Sequence, residues 1–243
     1  MIWIIGGTSE TKELVRKLKE KNYRDFLITV VSEEGVNQIR EYKENILIKS
    51  MDYQEMKEFI IEKSIEKIID ISHPFADIVS ENAKRAAKDL NIEYIRYLRD
   101  EIDIEKYKSF DNIEELKRYI NILKGNVFFT TGSKYIEEFE SVRNDNRFIY
   151  RILPASFGIN ICKQNNINLR DIVAVLGPFS IDFNKAMFKN YGAKYVVMKN
   201  SGKSGGTEEK IKACLELGIE PLILRRSKEE GISSIDEILE LIL

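Results

Sequence analysis

Hydrophobic positions along this chain switch repeatedly between short unbroken runs and a helical period. Ile2-Trp3-Ile4-Ile5 is a run of the first kind, the pattern of a strand covered on both faces. Gly6-Gly7-Thr8-Ser9-Glu10 interrupts it, and Leu14, Val15 and Leu18 then share one helix face. Further strands are predicted at Phe26–Val31, Ile46–Ile48, Ile68–Ile71 and Tyr94–Leu98. Between them, Asp52-x-x-Glu55 is a capping box for a helix with Met56, Phe59 and Ile60 inward. A second helix carries a small-residue stripe at Ala76, Val79, Ala83, Ala86 and Leu90. Residues 99–110 show no clear period and read as a linker. Asp111-x-x-Glu114 opens a new helix, and a second strand series follows at Val127–Thr130, Phe148–Leu153, Ile172–Leu176, Tyr195–Met198 and Pro221–Leu224. Ser234-x-x-Glu237 caps the last helix.

Strand and helix alternating from end to end predict an α/β protein with mostly parallel sheets flanked by helices. The expected division is a Rossmann-like, dinucleotide-binding domain over 1–98, a linker over 99–110 and a second α/β domain over 111–243. In such sheets ligands bind beyond the carboxyl ends of the strands. The first predicted end, Gly6-Gly7-Thr8-Ser9, combines side-chain-free backbone with the unpaired N–H groups and partial positive charge of a helix N-terminus, which suits a phosphate. The third glycine of G-x-G-x-x-G is absent, and an ordinary βα turn capped by Thr8 or Ser9 fits the same string. Other ends supply Ser72-His73-Pro74, Thr131-Gly132-Ser133-Lys134, Arg151, Gly177-Pro178-Phe179-Ser180, Lys199-Asn200-Ser201-Gly202 and Arg225-Arg226. His73, the sole histidine, is either an acid–base group or a packed residue beside a helix-starting proline.

Composition narrows the chemistry. The 243 residues are 43% hydrophobic and 32% charged, enough for a substantial core. A net charge of -2 argues against a general nucleic-acid binder, yet the predicted rim of the second domain is basic, which suits a ligand with several negative charges. Two distant cysteines and one histidine are too few for the usual zinc ligand sets, so no metal is expected. No apolar run spans a bilayer and Met1 leads straight into a strand, so a cytoplasmic protein without membrane contact is expected.

Five segments carry a family resemblance in order along nearly the whole chain: Ile5-Gly6-Gly7-Thr8-Ser9-Glu10, Ser72-His73-Pro74-Phe75-Ala76, Thr131-Gly132-Ser133-Lys134, Gly177-Pro178-Phe179-Ser180, and Lys199-Asn200-Ser201-Gly202 with Gly206-Thr207-Glu208-Glu209-Lys210. The chain resembles the precorrin-6A and cobalt-precorrin-6A reductases of cobalamin biosynthesis. The resemblance implies two Rossmann-like domains with the active-site cleft between them. It implies hydride transfer from NADH or NADPH to a C=C bond of the precorrin-6A ring, giving the 6B form. Gly6, Gly7, Thr8 and Ser9, with Ser72 nearby, would hold the cofactor. Lys199, Ser201 and Gly202 would reach the cofactor or ring carboxylates, and Lys134, Arg151 and Arg226 would meet carboxylates. His73 is the candidate for a direct catalytic role, and no residue is assigned as proton donor. The partners implied are the tetrapyrrole and other enzymes of its pathway.

The cofactor's 2′ position is read near the end of the second strand. That end is Val31-Ser32-Glu33-Glu34-Gly35, with no lysine or arginine between Phe26 and Gln38. Ser32 or Glu33 is therefore expected at the ribose, with NADH used at least as well as NADPH. Two other functions fit a nucleotide fold. A short-chain-type carbonyl reductase needs Tyr-x-x-x-Lys, but Tyr191 is followed by Tyr195 and Tyr53-x-x-x-Lys57 comes too early. A non-catalytic nucleotide sensor would ordinarily carry a DNA-binding segment, and none is evident.

Overall fold

A computed structural model describes residues 1–31, 36, 39, 45–227 and 229–243 of the chain. The expected run of four buried residues is strand β1 (Ile2–Ile5). It lies at the centre of an all-parallel five-stranded sheet with β2 (Phe26–Val30), β3 (Ile46–Ile48), β4 (Lys67–Asp70) and β5 (Glu93–Arg96), in the order β3-β2-β1-β4-β5. Alternation along β1 divides the core. Ile2 and Ile4 pack with Leu14, Val15 and Leu18 of α1 (Ser9–Glu20) on one face. Trp3 and Ile5 pack on the other with Phe59 of α2 (Tyr53–Glu62) and Ala83 and Ala86 of α3 (Asp77–Asp89). The indole N–H of Trp3 donates to Thr29 Oγ1 at 2.8 Å, so this buried polar atom is satisfied.

The second sheet is also parallel, in the order β6-β11-β10-β7-β8-β9. Its strands are β6 (Lys108–Phe110), β7 (Val127–Phe129), β8 (Phe148–Ile152), β9 (Ile172–Ala174), β10 (Tyr195–Lys199) and β11 (Glu220–Leu224). The helices of this half are α4 (Ile113–Ile122), α5 (Ile136–Glu140), α6 (Ser156–Gln164), α7 (Ile181–Asn190) and α8 (Thr207–Leu217). Phe128, Ile149, Val196 and Met198 form one core with Phe188 of α7 and Ile211 and Cys214 of α8.

The division of the chain differs from the expected one. One unit is Met1–Arg99 with Lys228–Leu243, and the other is Asp100–Ser227. The expected linker holds β6, which pairs with β11, and Ile104 is buried in the second core. Beyond β11 the chain returns to the first unit. Ile232 N–H donates to Arg96 O and Leu98 N–H to Ile232 O, both at 2.8 Å. The last helix, α9 (Ile235–Ile242), then buries Ile238 and Leu239 in the core around α1, and Lys17 pairs with Asp236. The cap of α4 also shifts by one residue: Asn112 accepts from Glu115 N–H at 2.9 Å, so Asp111-x-x-Glu114 is not the box.

Candidate active site

In the first unit the site begins where β1 ends. Gly7 has φ +106°, and among the described residues a Cβ there would have only Val30 Cγ1 nearby, at 4.0 Å. The turn is therefore open, as close approach of a phosphate requires. Gly6 is glycine for another reason, since a Cβ would lie 2.7 Å from Thr11 Cγ2. Thr8 is buried and caps α1, and its hydroxyl donates to Ile71 O at 3.0 Å. That hydroxyl ties the turn to the end of β4, and the Thr8 N–H donates to Thr11 Oγ1 at 3.3 Å, so Thr8 is bonded within the turn by side chain and backbone alike. Ser9 is exposed, with Oγ 3.0 Å from Glu10 Oε2. A carboxylate in this first turn would repel a phosphate, but Arg99 Nη2 pairs with Glu10 Oε2 at 2.7 Å. Ser32 and Glu33 lie outside the described residues.

The end of β4 is held from below by a buried cluster. Asp70, fully buried, accepts from Arg96 Nη1 and from Ser72 N–H, both at 2.9 Å, and from Tyr94 OH at 2.7 Å. Arg96 also donates to Ser72 Oγ at 3.0 Å and Ser72 O at 3.2 Å, and Nη2 to His73 O at 3.4 Å. Its Nε meets Glu229 at 3.0 Å. Burial opposes the guanidinium charge, but Asp70 and then Glu229 outweigh it, and the net shift is upward. Burial followed by Asp70 drives the Tyr94 phenol upward, so it remains a donor. Ser72 is thus drawn into a structural network. His73 itself is exposed, and its Nδ1 accepts from Phe75 N–H at 3.1 Å. That bond leaves Nε2 as the proton-bearing nitrogen of the neutral ring.

In the second unit the cationic residues gather at the carboxyl edge. Arg151, the fourth residue of β8, donates to Asn184 Oδ1 at 2.8 Å and lies 5.1 Å from the centroid of Phe179. Burial lowers its value to about 10. Lys199 ends β10 with Nζ 5.2 Å from the Tyr135 centroid, and the exposed Lys134 approaches the same ring at 5.1 Å. Ser201, buried, and Gly202, at φ +73°, form the turn beyond Lys199, closed by Thr207. Thr207 Oγ1 accepts from Ser201 N–H and donates to Lys199 O, both at 3.2 Å. Arg226, 8% exposed, pairs with Glu101 at 3.1 Å, a carboxylate partner already within its own unit.

Two of the sequence segments meet here. Pro178, Phe179 and Ser180 share a cavity of about 280 Å³ with Lys203, Gly206 and Glu209. A Cβ on Gly206 would lie 3.3 Å from Pro178 Cβ. Sequence reasoning quoted Lys210 in a matching segment but gave it no role; it is 6% exposed near the start of α8. Its signal was available: Lys210 shares a helix face with Ala213 and Cys214, both buried. Sequence reasoning also left Arg99 without a role. No cluster of three or more His, Cys, Asp or Glu suited to a metal occurs among the described residues. No described helix is long and apolar enough to cross a membrane.

Residues 1–243 match the family described as Precorrin-6x reductase CbiJ/CobK. The chain belongs to the precorrin-6x reductase family. It is 32% identical over 239 residues to the cobalt-precorrin-6A reductase of Priestia megaterium, covering 95% of this chain and 92% of that one. Against the enzyme of the same name from Methanococcus maripaludis it is 32% identical over 249 residues, covering 99% and 97%. Among solved structures, CobK precorrin-6A reductase superposes with a TM-score of 0.78 at 16% identity, over 99% of this chain and 95% of that one. That last likeness is one of fold, and it agrees with the expected pair of mostly parallel α/β sheets.

Proposed function

We propose that this protein is a cytoplasmic oxidoreductase that reduces a C=C bond of a precorrin-6A or cobalt-precorrin-6A ring with a nicotinamide cofactor, giving the 6B form. The observation that carries the reading is the glycine turn at Gly7, where a Cβ has no close neighbour among the described residues, at the head of α1 in a chain matching the reductase family from end to end. Bound there, the cofactor supplies the hydride.

The residues divide the remaining work. Gly6, Gly7, Thr8 and Ser9 form the turn that receives the pyrophosphate at the α1 N-terminus, Thr8 by holding its shape, and Arg99 offsets the Glu10 charge beside it. Ser72 and Arg96 hold the loop that presents His73. Lys199, Ser201 and Gly202 contact cofactor or ring. Lys134, Arg151 and Arg226 meet carboxylates, with Arg226 exchanging Glu101 for the ligand. Most of the rate advantage on this reading comes from positioning, which supplies up to ~7–11 kcal/mol.

The test is kcat/KM for NADH and NADPH on cobalt-precorrin-6A, repeated in Glu33→Ala. Reduction with NADH at least matching NADPH, and a shift toward NADPH in the variant, is expected. Absence of ring reduction with either cofactor refutes the function. A strong NADPH preference indifferent to Glu33 refutes the ribose assignment alone.

A further inference from the structure

Asn184 is a buried amide on α7, 1% exposed. Its Nδ2 donates to Phe179 O at 3.1 Å and to Ser180 O at 2.9 Å, and its Oδ1 accepts from Arg151 Nη1 at 2.8 Å. Two carbonyls on one side and a guanidinium on the other fix which end of the amide is which. The same geometry selects asparagine. A leucine would leave the guanidinium and both carbonyls without this partner, and an aspartate would set an oxygen against the two carbonyls. An aspartate would also neutralise Arg151.

Arg151 is thereby held without being paired. It forms no ion pair among the described residues, and its other close neighbours are Met187 Sδ at 3.8 Å and the Phe179 ring at 5.1 Å. The helices beside it do not supply an anion: Asp182 of α7 pairs with Lys185, and Glu209 of α8 acts on Lys210. Arg151 is the fourth residue of β8, at the carboxyl end of the strand, where parallel sheets bind ligands. The surroundings are apolar. A Cβ on Gly177 would lie 2.9 Å from the Phe179 ring, so that ring covers the glycine, and it stacks on Phe183 at 4.6 Å and 19°. Phe183, Leu176 before the turn and Leu153 two residues beyond Arg151 are all exposed. Exposed large apolar side chains gathered in one place mark a binding surface. Around a cation, they suit a carboxylate carried on an apolar body.

We propose that Asn184 is a positioning residue for ligand recognition: it fixes the Arg151 guanidinium with a neutral acceptor and ties it to the turn from Gly177 to Ser180, leaving the charge to meet one carboxylate of a polycarboxylate ring. The inference rests on the tetrapyrrole reading above for the identity of the ring. Asn184 acts through Arg151 and makes no contact of its own with the ligand. A guanidinium already fixed in place has little side-chain freedom left to lose on binding, whereas a loose one must first be ordered.

The probe is uroporphyrin III, a stable tetrapyrrole polycarboxylate. Its affinity is measured by fluorescence titration for the native chain, Arg151→Met, Asn184→Leu and the double variant, with NADH affinity and melting temperature recorded for each. Each single change should weaken uroporphyrin binding about tenfold. The double variant should bind no more weakly than Arg151→Met alone, because Asn184 works only through the guanidinium. NADH affinity should not change. Losses that add in the double variant show an independent structural role and overturn the proposal, as does full uroporphyrin affinity in either single variant. Guanidinium 15N NMR on the native chain decides the matter even where Asn184→Leu does not fold. The two Nη atoms of Arg151 should give separate resonances in the ligand-free protein, since Nη1 is held by Asn184, and a single averaged resonance overturns the proposal. These adverse outcomes leave the tetrapyrrole reading intact. Failure of the folded native chain to bind uroporphyrin counts against the tetrapyrrole reading, and the inference falls with it.

Discussion

Replacing Arg96 by methionine isolates the contribution of the cluster beneath His73. Arg96 is 4% exposed and Asp70 fully buried. Methionine fills much of the volume but removes the donors to Asp70 Oδ1, Ser72 Oγ, Ser72 O and Glu229 Oε2. Asp70 keeps only the Tyr94 hydroxyl and the Ser72 N–H. Removing one partner of a buried pair costs ~3–5 kcal/mol, because the other charge stays buried. For a unit of this size that corresponds to a fall of about 10–20 °C in the midpoint of its transition. Urea denaturation with calorimetry measures both quantities on the whole chain. Asp70→Asn combined with Arg96→Met should cost clearly less than the two single changes added, since neither charge is then left alone. A single-variant loss below ~1 kcal/mol, or strict additivity, would refute the reasoning. In the variant that remains folded, the His73 loop loses its anchor to Arg96, so turnover should fall more than cofactor affinity.

Three further outcomes are expected. Gly7→Ala should weaken cofactor binding at least about tenfold, or ~1.4 kcal/mol; since φ +106° also strains any side chain there, the melting temperature is recorded alongside, and unchanged affinity would move the phosphate elsewhere. Lys199→Ala should cost ~2–5 kcal/mol of ligand binding if its ammonium meets an enclosed anion, and titration with cofactor and with tetrapyrrole shows which of the two it serves. Lys210 carries a sign-specific effect on stability: its folded value of about 7 lies below the ordinary 10.5, so the unfolded chain binds more protons between those limits. Native stability should therefore rise with pH across that window by up to about 1.4 kcal/mol per unit, and Lys210→Met, followed by urea titration, should abolish the rise.

The sequence by itself determined the local elements and their class. The run Ile2–Ile5, the capping box at Asp52 and the Ser234 cap needed nothing beyond neighbouring residues, because strand burial and helix capping are set over a few positions. The glycine turn was legible for the same reason, and so were the cations at the strand ends. Tertiary structure alone decided which sheet each element joined. The apolar face of α9 says that the helix must be covered, but periodicity names no partner, and Leu14 and Leu18 of α1 provide one far away in the chain. Likewise Lys108-Ser109-Phe110 is too short and polar to read as a strand until β11 supplies its hydrogen bonds. The site divides along the same line. Thr8 and Ser72 looked equally available as polar residues near strand ends, and only long-range contacts showed that their hydroxyls are spent inward, on Ile71 O and the Arg96 guanidinium. The lowering of Lys210 comes from burial and then from Arg151 of β8 and Lys199 of β10, and the periodicity of α8 names neither cation.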